Sequence, residues 1–101
     1  MMARIHITAA VRANDGRERT FGVGGRNAWA LENLIRAGRR GCSTIDVPAP
    51  RWAGYVHRLR HDFGLNIETV GEPHGGPFAG THARYVLHDD VRVVEREERH
   101  D

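Results

Sequence analysis

The segment from Arg39 to Phe63, RRGCSTIDVPAPRWAGYVHRLRHDF, limits the possible folds of this chain more than any other. It predicts a short helix, a turn marked by Pro48 and Pro50, and a second helix over residues 50–63, because proline disfavours helical geometry in the residue before it. Large apolar side chains line one side of the second helix at helical spacing: Trp52, Tyr55, Val56, Leu59 and Phe63. The other side carries small and basic residues, namely Ala53, Gly54, His57, Arg58, Arg60 and His61. The second helix therefore has one face suited to burial and one suited to an anionic partner.

The residues before this segment predict a β-hairpin and then a helix. Strands over residues 4–11 and 17–23 flank an Asn-Asp-Gly turn signal. Residues 27–37 predict a helix with a broad apolar arc, and Gly38 supplies the stop. Trp29 falls outside that arc, so it either packs under the hairpin or is exposed for a partner. The large apolar area of a tryptophan favours packing under the hairpin.

Within the central segment, the short helix has a recognisable start. Ser43 is followed three residues later by Asp46, which is the spacing of a helix N-terminal capping pattern. Pro48 requires the helix that opens there to be short.

The residues after the central segment predict a second hairpin. Strands over residues 65–70 and 83–88 flank residues 71–82, whose four glycines and two prolines predict a long loop. Residues 89–94 extend the last strand, with Val91, Val93 and Val94 as its apolar positions. Residues 95–101, EREERHD, predict a charged, disordered tail.

The predicted order of helix, short helix, turn, long helix and glycine-tipped hairpin is that of a winged helix-turn-helix. Residues 21–88 also resemble the small bacterial winged helix domain-containing proteins, often carried by phages and mobile elements. The segments that carry the resemblance are AWALENLIRAG (28–38), GCSTIDVPAPRWAGYVHRLR (41–60), NIETV (66–70) and EPHGGPFAGTHARYVL (72–87). The resemblance implies a winged helix-turn-helix with three helices and a C-terminal β-hairpin wing. With the N-terminal β-hairpin predicted from the strand pattern, the expected fold class is α+β. Because proteins of this kind are associated with DNA binding, the resemblance also implies DNA binding.

The length of 101 residues predicts one domain. We expect an N-terminal β-hairpin over 1–24 joined to a winged helix domain over 25–94, followed by the tail over 95–101. The chain has no apolar run of the roughly 20 residues that a membrane span needs and no signal-peptide pattern. With Cys42 as its lone cysteine, it fits a reducing, cytoplasmic location.

Charge is unevenly distributed along the chain. The formal net charge is +2, yet residues 1–64 carry eleven arginines against five acidic residues, and residues 65–101 carry four against eight. The chain has fifteen arginines and no lysine. A GC-rich genome also produces this codon usage. The basic surplus around the predicted helix pair indicates a local basic face.

A DNA-binding helix needs hydrogen-bond donors on its outward face. Arg58 is the candidate for a base edge, and Arg39, Arg40, Arg51 and Arg60 are the candidates for phosphate. The complete candidate set is Arg39, Arg40, Arg51, Ala53, Gly54, His57, Arg58, Arg60, His61, His74, His82 and Arg84. The alternative is an ordinary solvated helix face.

The wing candidates in that set are His74, His82 and Arg84. Wings commonly reach a minor groove or phosphates, and the glycines of the tip permit close approach. The alternative is a turn fixed by its Gly-Gly-Pro run, with Phe78 packed back on the core.

Metal and enzyme chemistry find little support in the sequence. His57 and His61 have the i, i+4 spacing of metal ligands, but Cys42 is the only cysteine and the chain has no His-Glu-x-x-His motif. No nucleophile elbow and no P-loop are present. We expect no metal, no cofactor and no catalysis.

The leading hypothesis is a DNA-binding transcriptional regulator, with the 50–63 helix in the major groove and the 71–82 wing on the backbone or minor groove of double-stranded DNA. The alternative is a winged helix module that binds a protein, as a phage or mobile-element inhibitor or adaptor of host nucleic-acid machinery. An open basic surface favours DNA, whereas capping of Arg58 and Arg60 by Asp62, Glu68 or the tail favours a protein. A homodimer is a further hypothesis, through a strand edge at the N-terminus or at Val91–Val94.

Overall fold

The computed structural model describes residues 3–77 and 80–100. In these residues the element order is β1 (Ala3–Arg12), β2 (Glu18–Gly24), α1 (Gly25–Ala37), a 3₁₀ turn (Gly38–Arg40), β3 (Cys42–Ser43), α2 (Trp52–His61), β4 (Ile67–His74), β5 (Gly80–Leu87) and β6 (Asp90–His100). The strands form two antiparallel three-stranded sheets, ordered β2-β1-β6 and β3-β5-β4. Both sheets and both α-helices contribute to one buried core.

The predicted N-terminal β-hairpin is present and is joined to α2. The guanidinium of Arg19 donates to the carbonyl oxygen of Phe63 at 2.7 Å, just beyond the C-terminus of α2. The Phe21 and Phe63 rings stack with their centroids 4.8 Å apart. Cations near the last carbonyls of a helix are favourable because the helix dipole is negative there. The hairpin thus supports the end of α2.

The predicted disordered tail is instead part of a strand. Residues 95–100 form the second half of β6, which pairs with β1 from Ala3↔His100 to Arg12↔Asp90. Backbone pairing holds this charged stretch in place, together with Arg96, which donates to Glu32 on α1 at 2.9 Å. Asp101 lies outside the described residues.

The expectation of three helices is wrong, because the described residues contain only two α-helices. The predicted cap is real: the Ser43 hydroxyl accepts the N–H of Asp46 at 3.1 Å, and the Val47 N–H donates to the Ser43 carbonyl at 3.0 Å. Only this one turn forms. A single turn repays little of the cost of helix nucleation, and Pro48 cannot donate the next bond. Residues 44–51 are therefore a turn segment.

The buried face of α2 is the predicted one, although the helix runs over Trp52–His61 rather than 50–63, so that Phe63 lies beyond its end and is partly buried. Trp52, Tyr55, Val56 and Leu59 are buried, and the indole N–H of Trp52 donates to the Val47 carbonyl oxygen at 2.7 Å. This bond fixes the end of the turn segment to the start of α2.

Trp29 lies somewhere other than expected. Its ring contacts Trp52 and Tyr55, with centroid distances of 5.5 and 6.4 Å. It is partly buried and packs against the aromatic side chains of α2, a position that neither expectation named. No helix in the described part of the chain is long and apolar enough to cross a membrane.

Candidate nucleic-acid interface

The face of α2 opposite the core is open to solvent. Ala53, Gly54, His57, Arg58 and His61 are all exposed. The periodicity that buries the aromatic and aliphatic side chains also turns these five outward. The structure therefore brings together the helix candidates that the sequence predicted, with one exception described below.

Gly54 has no packing role inside the protein. A Cβ built at this position meets, among the described residues, only the Cβ of Arg51, at 4.0 Å. Glycine within a helix costs about 0.8–1.0 kcal/mol relative to alanine, so this glycine makes the fold less stable than alanine would. Its effect is to leave the backbone of α2 approachable from outside.

Arg58 is exposed and is paired with an acid. Its Nη1 lies 3.2 Å from Oδ2 of Asp62, one helical turn away, and the two side chains are 64% and 49% exposed. Solvated i, i+4 pairs of this kind contribute about 0.3–0.5 kcal/mol. A phosphate or base edge can therefore compete with Asp62 for the guanidinium.

Arg60 is the exception on the helix. Its Nε donates to the Ile67 carbonyl oxygen at 2.9 Å, and its Nη2 donates to Oγ1 of Thr69 at 2.7 Å. The side chain fastens α2 to β4 and points away from the open face. The structure places this phosphate candidate inside the domain.

Two further arginine side chains have no internal partner among the described residues. No hydrogen bond or ion pair within residues 3–77 and 80–100 holds the side chains of Arg39 or Arg51. Arg39 and Arg40 are exposed on the 3₁₀ turn, and Arg51 directly precedes α2. Arg51 therefore lies at the N-terminal end of the open helix face, and Arg39 and Arg40 are exposed cations on a separate turn.

The 3₁₀ turn is fixed against β5 through Gly41. A Cβ at Gly41 would collide with the carbonyl oxygen of Tyr85, and the residue has a φ of +70°, so only glycine fits there. Next to it, the thiol of Cys42 is buried, and burial raises its pKa.

Arg84, which was predicted to contact DNA from the wing, forms ion pairs with two acidic side chains. It lies on β5, only 20% exposed, with its Nε 2.8 Å from Oε2 of Glu72 and its Nη1 2.7 Å from Oδ2 of Asp46. Nη1 also donates to the Arg40 carbonyl oxygen at 3.1 Å. Hydrogen bonds from Arg84 lower the pKa of both Glu72 and Asp46, and the two carboxylates raise the pKa of Arg84.

The wing histidines also have internal partners. Nδ1 of His74 lies 3.1 Å from Nδ1 of His82, and Nε2 of His82 lies 3.0 Å from Oε1 of Glu72. A carboxylate only accepts, so Nε2 of His82 carries the proton. Nδ1 of His82 is then the acceptor of a hydrogen bond from the Nδ1–H of His74. Phe78 lies outside the described residues, so its packing stays a prediction.

His57 and His61 stand together on α2, with ring centroids 4.2 Å apart. The part of the chain that the structure describes contains no group of three His, Cys, Asp or Glu side chains placed to hold a metal ion. What this surface offers is a set of exposed cations and a close-approach point.

Comparison with known families decides what kind of domain this is. A protein-family model described as a winged helix domain matches residues 20–97. The chain belongs to the winged helix domain family. Comparison with curated proteins and with solved structures gives no match.

In this winged helix domain, α1, the turn segment and α2 form the helix-turn-helix unit, and the β4–β5 hairpin is the wing. The sequence missed Asp46 and Glu72 as anchors of the wing. The prediction of a long loop over 71–82 is wrong, because β4 continues to His74 and β5 begins at Gly80. Only the register of β4 with β5, which pairs Glu72 with His82 and Val70 with Arg84, puts these groups on one face.

Proposed function

We propose that this winged helix protein binds double-stranded DNA and acts as a transcriptional regulator, with α2 in the major groove. One observation carries the proposal: the outward face of α2 is open and presents small residues beside Arg58 and two histidines, whereas its opposite face is buried. A major groove about 12 Å wide admits a helix, and donors on that helix read base edges. Family membership supports the same function.

The exposed groups have complementary roles in this proposal. Arg58 reads a base edge, because it projects from α2 and its pairing with Asp62 is weak. Arg39 and Arg51 bind phosphates, and Arg40 adds positive charge beside them. Gly54 lets the helix backbone approach the duplex closely. The wing lies on the backbone or in the minor groove through its exposed Gly-Gly-Pro tip over 75–77.

A titration of duplex DNA at several salt concentrations tests the proposal. Each phosphate neutralised by an arginine releases counterions, so the logarithm of affinity falls against log salt with a slope of about −0.9 per contact. Contacts from Arg39, Arg40 and Arg51 predict a slope of roughly −2 to −3. Absence of salt-sensitive binding to every duplex, including a pool selected from random sequence, would refute it.

A second candidate function is a winged helix module that binds a protein. It is favoured by the pairing of Arg58 with Asp62 and by the withdrawal of Arg60 into the domain. The burial of Trp29 between the helices removes one surface that such a partner could use. Recovery of one stoichiometric protein partner, with binding unaffected by Arg39→Ala and Arg51→Ala, would select this alternative.

A further inference from the structure

The turn segment over residues 44–51 lacks the helix that sequence reasoning expected, so side chains must hold it. At its start, the Ser43 hydroxyl accepts from the N–H groups of Ile45 and Asp46. At its end, Trp52 donates to the Val47 carbonyl. Val47 and Ala49 pack against the core, and the ion pair between Asp46 and Arg84 is a further anchor.

Arg84 connects this turn to two other parts of the domain. Its guanidinium contacts Asp46 in the turn, Glu72 on the wing strand β4 and the carbonyl oxygens of Arg40 and Gly41 after the 3₁₀ turn. A guanidinium can serve these partners together because its five N–H groups diverge in one rigid plane. A lysine ammonium is a compact point donor and does not reproduce this fork.

The same contacts leave Arg84 little capacity for a ligand. The side chain is one-fifth exposed and faces two carboxylates. The segments that it holds carry the free cations of the surface, with Arg39 and Arg40 just before Gly41 and Arg51 at the end of the turn. Its place in the network is therefore that of a support for other arginines.

We propose that Arg84 is a positioning residue of the DNA-binding surface: it fixes the turn segment and the 3₁₀ turn against the wing, and so sets where Arg39, Arg40 and Arg51 stand. It does this without touching DNA. This inference rests on the proposed function, and it differs from a direct contact by Arg84 in the sign of one measurable effect.

Asp46→Asn separates the two roles. If Arg84 contacted DNA, removing Asp46 would free a cation and delete a nearby negative charge, so duplex affinity would rise. If Arg84 positions the turn, the anchor is weakened. Duplex affinity then falls roughly tenfold, and the salt slope becomes shallower by about one to two phosphate contacts.

Asp62→Asn is the matched control, because it removes another exposed Asp–Arg pair beside the same surface. Arg58 is a contact in this account, so freeing it from Asp62 strengthens duplex affinity or leaves it unchanged. Opposite responses to two Asp→Asn changes on one surface cannot come from charge alone.

Arg84→Lys is a second test that keeps the charge. A contact role predicts nearly unchanged affinity, since lysine also binds phosphate. The positioning role predicts the weaker binding and shallower slope expected for Asp46→Asn, with faster amide hydrogen exchange over residues 44–51. Arg84→Lys replaces Asp46→Asn as the test if Asp46→Asn does not fold.

The possible outcomes are distinct. If the wild-type protein binds no duplex, the proposed function itself fails. If the wild-type protein binds, and folded Asp46→Asn or Arg84→Lys binds as tightly or more tightly, the positioning role is overturned while DNA binding stands.

Discussion

The open face of α2 and the wing carry the same residue types but use them differently. On the open face of α2, His57, Arg58 and His61 are exposed, and Asp62 forms an exposed pair with Arg58. On the wing, Arg84, His74 and His82 are joined through Glu72. An arginine or histidine is thus available to a ligand or committed to the fold according to the acids and carbonyls within its reach. Residue type alone does not decide between them.

The electrostatics of the two regions differ accordingly. The described residues of the wing strands carry Glu68 and Glu72 against the single cation Arg84, whose charge is shared with Asp46. The side chains of the wing strands therefore offer few phosphate contacts, which leaves the exposed tip over 75–77 as the part of the wing proposed to reach DNA. The exposed cations lie on the 3₁₀ turn, at the end of the turn segment and on α2.

The largest effect should come from the core beneath both regions. Leu59→Ala is expected to lower the free energy of unfolding by about 2–5 kcal/mol, because a fully buried leucine loses its transfer energy and leaves a cavity. Denaturant unfolding followed by circular dichroism measures this. A loss below about 1 kcal/mol would mean that α2 is not packed as described.

The next-largest effect should be on DNA binding and not on stability. Arg58→Ala is expected to weaken duplex binding by about 1–3 kcal/mol, the range for a base-edge arginine, with stability changed by no more than about 0.5 kcal/mol. Fluorescence anisotropy measures the affinity. Arg92→Met is the control: its pair with Glu18 lies on the other sheet, so duplex affinity should not change. Equal losses from both variants would contradict a local role for α2.

Gly54→Ala should change stability and binding in opposite directions. Helix propensity predicts a gain of about 0.5–1 kcal/mol in stability, since the space around Gly54 is open. A methyl group at the close-approach point should weaken duplex affinity. Thermal unfolding and anisotropy on the same sample test both. A variant that is more stable and binds as well would remove Gly54 from the interface.

A smaller effect is the loss of stability of the wing and the turn segment at acid pH. Arg84 lowers the folded-state pKa of Glu72 and Asp46, so their contribution to stability is present above the unfolded-state carboxyl pKa of about 4. It is lost as pH falls through the lowered folded-state values. Amide protection in the wing and turn segment, measured relative to the intrinsic exchange rate at each pH, should therefore fall in that acid range. Glu72→Gln should flatten this dependence, and an unchanged acid profile would contradict the network.

Local patterns were sufficient for much of the fold. The first hairpin, the helix that ends before Gly38 and the buried side of α2 depend on turn chemistry and periodicity, which neighbouring residues determine. The candidates on the outward face of α2 follow from the same periodicity. These parts of the site could be predicted because helical phase fixes which residues share a face.

The rest depended on contacts between distant residues. The charged residues 95–100 have no apolar alternation, and they form a strand because β1, some ninety residues earlier, supplies the pairing backbone. Arg84 finds its acid Asp46 through the β3-β5-β4 sheet. The predicted short helix is absent because Pro48 stops it after one capped turn. Sequence spacing contains none of these tertiary constraints.

The claim that the open face of α2 reads duplex DNA is tested most directly by selecting binding sites from a random duplex library, with wild-type protein and Arg58→Ala in parallel. The wild-type protein is expected to enrich one short motif, and Arg58→Ala is expected to lose preference at one base pair of it while keeping the rest. Enrichment of no motif by the wild-type protein, or of the identical motif by both proteins, would contradict the account.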